Sequence, residues 1–370
     1  MTMSKFSSAD HRYMAEAIKL AERGLYSTDP NPRVGAVVVK DGKIIGRGFH
    51  VKAGEAHAEV LAIKEAGAAA RGADLYVTLE PCSHHGKTPP CAEAVIAAGI
   101  KRVTAAMTDP NPQVSGKGFE KLNAADIITA RGLMEDESKA INPGFISRMT
   151  RGRPWVRTKL AVSMDGRTAL ASGESKWISG DASREDVHRW RARSSAVLTG
   201  IGTLLKDDPS LNVRLPGEWR QPMKVVVDTY LSTPANAKIF KQQPDSVYIA
   251  TTVEDPEEYA VLEEVGANIQ VFQEKSGGMM DLKTVLETLA ELECNEVLVE
   301  AGAGMNGPLL AAGLVDEIIL YMAPHLLGDT ARGMFSLPML VSMDQRRQVD
   351  VVDMRMIGAD IRLILRPKQV

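Results

Sequence analysis

Three zinc-binding side chains are spread along this chain so that the backbone carrying them must converge: His57 in the triplet His57-Ala58-Glu59, Cys82 after Pro81, and Cys91. Zn2+ takes imidazole nitrogen and thiolate sulfur, and three protein ligands leave a fourth position open to water. Each ligand sits on a segment with a readable local structure. Residues 57–66 are rich in helix formers with a partly apolar face, which puts His57 and Glu59 in a first helical turn. Residues 75–79 alternate and are β-prone, so Cys82 follows a strand. Pro89-Pro90 opens a second helix over 92–98, with Cys91 at its start. Free amides and the positive dipole end there favour a thiolate.

A carboxylate two residues from the His stands beside the open position without being a ligand. That is the arrangement of zinc-dependent deaminases of nucleobase-like rings, in which a Glu shuttles protons while ammonia is lost. A His-x-Glu triplet alone is weak. The cysteines add more, because the chain has only three and two belong to this set. The eight residues Ser83 to Pro90 separate them, where a two-residue gap is usual. They read as an inserted loop that shapes the substrate pocket. The competing reading is a closed site with His84 or His85 as fourth ligand. Other rivals are a deaminase of cytidine nucleotides or tRNA adenosine, and a non-enzymatic zinc-stabilised module.

At 370 residues there is room for two domains. Aromatic content of 5% and a net charge of −3 argue against a nucleic-acid partner. No stretch reaches transmembrane length and the first twenty residues lack a signal-type apolar core. Cysteines kept as thiolates suit a reducing compartment, here the cytoplasm. A helix over 10–23, opened by Ser8 or Asp10, precedes a hairpin of 34–40 and 43–50 turned by Asp41-Gly42. Asn31-Pro32 before it is either a turn or a base contact. The β-β-α-β-α-β order that follows implies a sheet with helices on its faces, extended by a helix over 118–125 and a strand over 127–130.

The polar stretch 148–154 is breaker-rich and marks the boundary between domains 1–148 and 149–370. Beyond it the β/α alternation restarts. Strands are expected near 155–162, 196–199, 223–228, 246–250, 268–272, 296–300 and 317–322, and helices near 181–193, 281–292 and 306–313. After residue 300 comes Gly302-x-Gly304-x-x-Gly307, where backbone amides can meet phosphates. The next strand carries no acid at its end and this is not the first β/α unit, so a Rossmann fold is disfavoured. A phosphate- or dinucleotide-binding loop of another α/β fold is the better reading, with a structural glycine turn as the alternative. Local pattern leaves Lys159 to Arg167 and Asp207-Asp208-Pro209, with Leu211 and Arg214, open between functional loops and ordinary capped turns.

With both halves in view, the chain resembles the bifunctional riboflavin-biosynthesis deaminase–reductases over nearly its whole length. The motifs are Asp29 to Gly35, Gly54 to Glu59, Val77 to Gly86 with Thr88 to Cys91, and Asp109 to Pro112, then Lys159-Leu160, Ser163 to Arg167, Ser172 to Trp177, Asp207 to Pro209, and Val299 to Gly302. The long gap between the cysteines fits this family. The resemblance implies an α/β protein of two domains, an N-terminal cytidine-deaminase-like three-layer α/β/α unit and a C-terminal dihydrofolate-reductase-like α/β unit. It places zinc on His57, Cys82 and Cys91, with Glu59 as the catalytic proton shuttle. It implies NADPH against Ala161, Trp177, Thr203, Asp207, Thr229 and the loop Gly302, Ala303, Gly304, Met305, Asn306, Gly307 and Pro308. It brings the substrate to Ser175, Arg191, Leu211, Arg214 and Glu300, the arginines suiting a phosphate. Ala161 stands where the family commonly has Gly. The implied substrate is 2,5-diamino-6-ribosylamino-4(3H)-pyrimidinone 5′-phosphate, deaminated and then reduced to 5-amino-6-ribitylamino-uracil 5′-phosphate. Lys159, Asp207 and Glu300 are candidates for polarising or protonating the reduced centre. A homo-oligomer working on small molecules, without membrane or nucleic-acid partners, is expected.

Overall fold

The structure is a computed structural model that describes residues 6–84, 89–112, 114–275 and 279–368. It divides into two units, Met1–Arg153 and Pro154–Val370. In the first, α1 (Ser8–Glu22) starts from a capping box: the Ser7 hydroxyl accepts the Asp10 N–H at 3.1 Å, and the Asp10 carboxylate accepts the Ser7 N–H at 2.8 Å. The cap is thus Ser7, one residue before the expected start. The hairpin β1 (Gly35–Lys40) and β2 (Lys43–Phe49) turns at Asp41 and Gly42 with φ of 50° and 75°, the left-handed pair that matches strand twist. Then come α2 (Ala58–Ala66), β3 (Asp74–Val77), α3 (Cys91–Ala97), β4 (Arg102–Ala105), α4 (Lys117–Asn123), β5 (Ile128–Arg131), α5 (Glu135–Ile141) and α6 (Pro143–Arg151).

The sheet order is β2-β1-β3-β4-β5, with β3, β4 and β5 parallel and β1 antiparallel to both its neighbours. One face packs Val38, Leu75, Val77 and Val103 against α2, α3 and α4 through Ala58, Ala62, Val95 and Leu122. The opposite face packs Val37, Val39 and Tyr76 on Met14, Ala17 and Ile18 of α1. The result is a three-layer α/β/α unit. Residue 148, the expected boundary, falls inside α6, which continues to Arg151 before Gly152 ends it at φ 65°.

The second unit runs β6 (Trp155–Ser163), β7 (Arg167–Ala169), α7 (Asp181–Arg193), β8 (Ala196–Gly200), α8 (Ile201–Asp207), β9 (Met223–Val227), β10 (Val247–Thr251), α9 (Pro256–Glu264), β11 (Asn268–Val271), β12 (Glu274–Lys275), β13 (Met279–Met280), α10 (Leu282–Glu291), β14 (Glu296–Val299), α11 (Ala303–Ala311), β15 (Glu317–Ala323), β16 (Arg332–Gly333), β17 (Val349–Ile357) and β18 (Asp360–Pro367). Nine strands form one sheet, β11-β10-β9-β8-β14-β6-β15-β18-β17, parallel except for the terminal hairpin β18 and β17. That hairpin is absent from the sequence-based expectation. A bulge between Val351 and Asp353 breaks its alternation, and β17 is largely exposed.

Arg157 sits at the middle of this sheet. Its guanidinium, buried on β6, pairs with Glu296 on β14 and with Glu317 on β15 at 2.6 Å; Arg193 and Arg366 satisfy the same two carboxylates from outside. The side chain staples three neighbouring strands, and its loss takes from two buried acids the partner they share. Arg157→Ala is expected to destabilise the second unit by about 3–5 kcal/mol. Chemical denaturation followed by Trp fluorescence measures it, and a loss below 1 kcal/mol would contradict the staple role.

Candidate active sites

In the first unit both helix starts meet the carboxyl end of β3. His57 is the N-cap residue of α2, Glu59 lies in its first turn, Cys91 is the first residue of α3, and Cys82 follows β3. His57 Nδ1 lies 3.1 Å from Cys91 Sγ and 3.6 Å from Cys82 Sγ, and the three donor atoms fall within 4.8 Å of one another. Tetrahedral zinc at about 2.0–2.1 Å from nitrogen and about 2.3 Å from sulfur sets its donors about 3.6 Å apart, so this set fits the ion. Among the described residues no fourth ligand joins the set: exposed His84 is outside it, and His85 lies beyond the described residues.

The Cys91 N–H donates to Cys82 Sγ at 3.2 Å, so the helix amide serves the neighbouring sulfur rather than Cys91's own. Cys82 is held down to about 4 by its bond with Cys91, against burial and with help from His57. Cys91 is pushed up by Cys82 and by burial. The pair thus shares one proton, which a dication displaces. Glu59 is 3% exposed, and burial, followed by the Cys82 charge, pushes its carboxyl up to about 7. A bound cation opposes that shift.

Tight packing places these groups. A Cβ added to Gly48 on β2 would lie 2.1 Å from the Ala58 carbonyl oxygen, so glycine there lets the first turn of α2 seat directly on the sheet. On the other side, buried Glu80 accepts the N–H groups of Asp109, Gly116 and Gly118 at 3.1, 3.0 and 2.8 Å, which ties the segment before Cys82 to the start of α4. Asn31 Nδ2 meets His50 Nε2 at 3.0 Å, and the His50 ring stands edge-on to His57 at 5.1 Å. His50 was missed from sequence, since nothing local separates it from an ordinary polar residue, while Glu80 and Asp109 stood inside quoted motifs without a role assigned.

In the second unit a cleft of about 1270 Å3 opens at the carboxyl ends of the parallel strands. Pockets for a single small molecule span about 300–1000 Å3, so this one has room for two ligands side by side. It is lined by Ala161, Ser175, Trp177, Arg191, Thr203, Asp207, Leu211, Arg214, Thr229, Glu300, Gly302, Ala303, Gly304, Met305 and Pro308. Gly302 caps α11, and a Cβ on Gly302 or Gly304 would meet nothing within 4 Å. A phosphate can therefore come close to these amides, and the cradle fits a dinucleotide.

Two expected contacts do not reach the cleft. Asn306 is fully buried, accepting the Thr158 hydroxyl at 2.7 Å and donating to the Ala301 carbonyl at 2.8 Å. A Cβ on Gly307 would collide with the Ser336 carbonyl at 1.9 Å, so its glycine serves close packing. At the far end of the cleft, Arg191 pairs with both oxygens of Glu300 at 2.5 and 2.9 Å. Burial pulls the Glu300 carboxyl up, but Arg191 overrides it and holds the acid at about 2. Burial lowers the Lys159 ammonium. Arg214 has no carboxylate partner among the described residues; its guanidinium donates to Asn212 Oδ1 at 2.6 Å and its backbone N–H to His188 Nδ1 at 3.3 Å.

The two units define a zinc-site deaminase joined to a reductase. The model of the cytidine and deoxycytidylate deaminase zinc-binding region matches residues 7–107, and that of the RibD C-terminal domain matches residues 154–363. The riboflavin biosynthesis protein RibD of Escherichia coli is 46% identical over 369 residues, covering 96% of this chain and 99% of its own, and that of Bacillus amyloliquefaciens is 44% identical, covering 96% of each. The Acinetobacter baumannii RibD structure superposes with a TM-score of 0.91 at 46% identity, covering 98% of this chain and 99% of its own. A deaminase/reductase structure from Thermotoga maritima gives 0.83 at 36% identity, with 97% and 99% covered. The chain belongs to the RibD family of riboflavin biosynthesis proteins. No helix among the described residues is long and apolar enough to cross a membrane.

Two tests follow from the geometry. Gly48→Ala must push Ala58 away and move His57 and Glu59 together, so ammonia release should fall at least about tenfold while nicotinamide oxidation is kept. Equal loss of both activities would mean general misfolding instead. For Glu300 the folded pKa is depressed from 4.5. Its ion pair therefore stabilises fully above that value, and the contribution disappears as pH falls toward about 2. The stability gap between the parent and Glu300→Gln, measured by denaturation, should close through that window.

Proposed function

We propose that the first unit hydrolytically removes the 2-amino group of 2,5-diamino-6-ribosylamino-4(3H)-pyrimidinone 5′-phosphate. The second unit then reduces the ribosyl group, giving 5-amino-6-ribitylamino-uracil 5′-phosphate. The observation that carries this is the three-donor His57, Cys82 and Cys91 set beside buried Glu59, in a chain that also holds the two-ligand cleft. Zinc in that set supplies an activated water at neutral pH. Glu59 takes a proton from the water and delivers it to the departing nitrogen, so water enters and ammonia leaves. Its burial keeps the carboxyl dry and basic enough to move that proton. The Cys82 and Cys91 thiolates and the His57 imidazole would hold the metal.

NADPH supplies the hydride in the second unit. Gly302, Ala303, Gly304 and Met305 offer it amides, with Ala161, Trp177, Thr203, Asp207, Thr229 and Pro308 around it. Ser175 and Leu211 face the substrate, and Arg214 takes its phosphate, since Arg191 is already engaged by Glu300. Lys159 and Glu300 line the same cleft: Glu300, held ionised by Arg191, can polarise the sugar carbon C1′, and Lys159, its ammonium lowered by burial, would deliver the proton that reduction there requires.

Three cysteines, none of them in a disulfide, suit the reducing conditions of a cytoplasm. We also infer self-association: β17 ends the nine-stranded sheet with an unpaired edge, and Val351, Met354 and Met356 on it are exposed.

Glu59→Gln should keep its zinc and lose ammonia release by at least about a hundredfold, while still oxidising NADPH with the deaminated phosphate ester. Zinc analysis beside the two assays reads this, and a Glu59→Gln protein that deaminates normally would overturn the role. Met354→Glu should lower the mass in solution, as light scattering measures.

A further inference from the structure

Arg214 lines the cleft without a carboxylate partner among the described residues, and the groups its side chain leads to lie outside the cleft lining. The inference rests on the reading that Arg214 takes the substrate phosphate. Asn212 is 5% exposed and sits between the two arginines. Its backbone carbonyl accepts from Arg191 Nη1 at 3.0 Å and its side-chain Oδ1 accepts from Arg214 Nη1 at 2.6 Å. On its other side the Asn212 Nδ2 donates to Gln242 Oε1 at 2.5 Å. Gln242 stands just past the short helical turn Lys238–Phe240. Its backbone carbonyl, with that of Ile239 at 2.9 Å, accepts the ammonium of Lys224.

Lys224 lies on β9, is 1% exposed and makes no ion pair among the described residues. A buried cation is costly unless its donors are satisfied, and these go to carbonyls of one turn. Each link fixes a choice. An Asn amide can rotate by half a turn, and the flipped form would present N–H groups to the N–H groups of Arg214. With Gln242 Oε1 turned toward it as acceptor, Asn212 keeps Nδ2 on that side and Oδ1 toward Arg214. Lys224 in turn holds the turn that carries Gln242.

The geometry points to Lys224, Gln242 and Asn212 as a positioning relay that orients Arg214 toward the substrate's 5′-phosphate. Gln242 is itself exposed, so changing it leaves the core intact. Gln242→Leu removes the acceptor, whereas Gln242→Glu keeps one. The relay predicts that Gln242→Leu raises the reductase KM for the phosphate ester about tenfold, with kcat changed by less than about twofold, and that Gln242→Glu restores KM. The inhibition constant of the dephosphorylated ribityl product should be the same in all three proteins, which a general distortion of the cleft would not allow. Adding Gln242→Leu to Arg214→Ala should cost nothing further.

An unchanged KM in Gln242→Leu overturns the relay, as does equal weakening of the phosphorylated and dephosphorylated compounds. Arg214→Ala tests the underlying reading separately. If it leaves KM for the phosphate ester unaltered, Arg214 does not hold the phosphate and the relay falls with it. If it raises KM while Gln242→Leu does not, only the relay is lost.

Discussion

Two helix N-termini brought to the end of one strand are the constraint on which the first unit depends. Cys91 contributes a sulfur from its side chain and an amide from its backbone, and the amide goes to Cys82. The ligand set is therefore partly assembled by the protein's own hydrogen bonding, because a helix start has N–H groups with no partner inside the helix. Bringing two such starts together is possible only if α2 and α3 lie very close to the sheet. Alanines at 58, 62, 66 and 92 supply that closeness on the helices, and Gly48 supplies it on the strand. Small residues, which look unremarkable in sequence, set the precision of the site.

The second unit solves a different problem with the same geometry. Its parallel strands end together, so the loops after β6, β8, β9 and β14 line one cleft. Charge is divided within it. Arg191 is spent on Glu300, whose charge it secures against burial, while Arg214 keeps an open guanidinium edge. Two arginines that look equivalent in sequence thus differ in what they can offer a ligand. Toward the amino ends of the same strands, Arg157 joins β6, β14 and β15 through two buried acids.

Much of this was legible beforehand. The zinc donors, the Asp41-Gly42 turn, the restart of β/α alternation and most strands follow from local pattern, because turn chemistry and ligand type act within a few residues. Other features were not. Capping at Ser7 shifted one helix start, since Ser7, Ser8 and Asp10 all qualify as caps by type. The terminal hairpin was missed because a bulge and exposure erase the period of two in β17. His50, Asn212 and Gln242 carry no local signal at all, and Glu80 and Asp109, though inside quoted motifs, showed no role there: each acts through partners at long separation, such as Glu80 with Gly118.

The amino-acid sequence by itself determined which atoms can bind zinc, that a carboxylate accompanies them, and that two α/β units follow one another. Those are matters of side-chain chemistry and short-range backbone preference. Only the tertiary structure decided which glycines of the 302–307 loop border open space. Gly302 and Gly304 border open space, whereas Gly307 is pressed on Ser336. That distinction depends on what packs from elsewhere in the chain, and no window of neighbouring residues contains it.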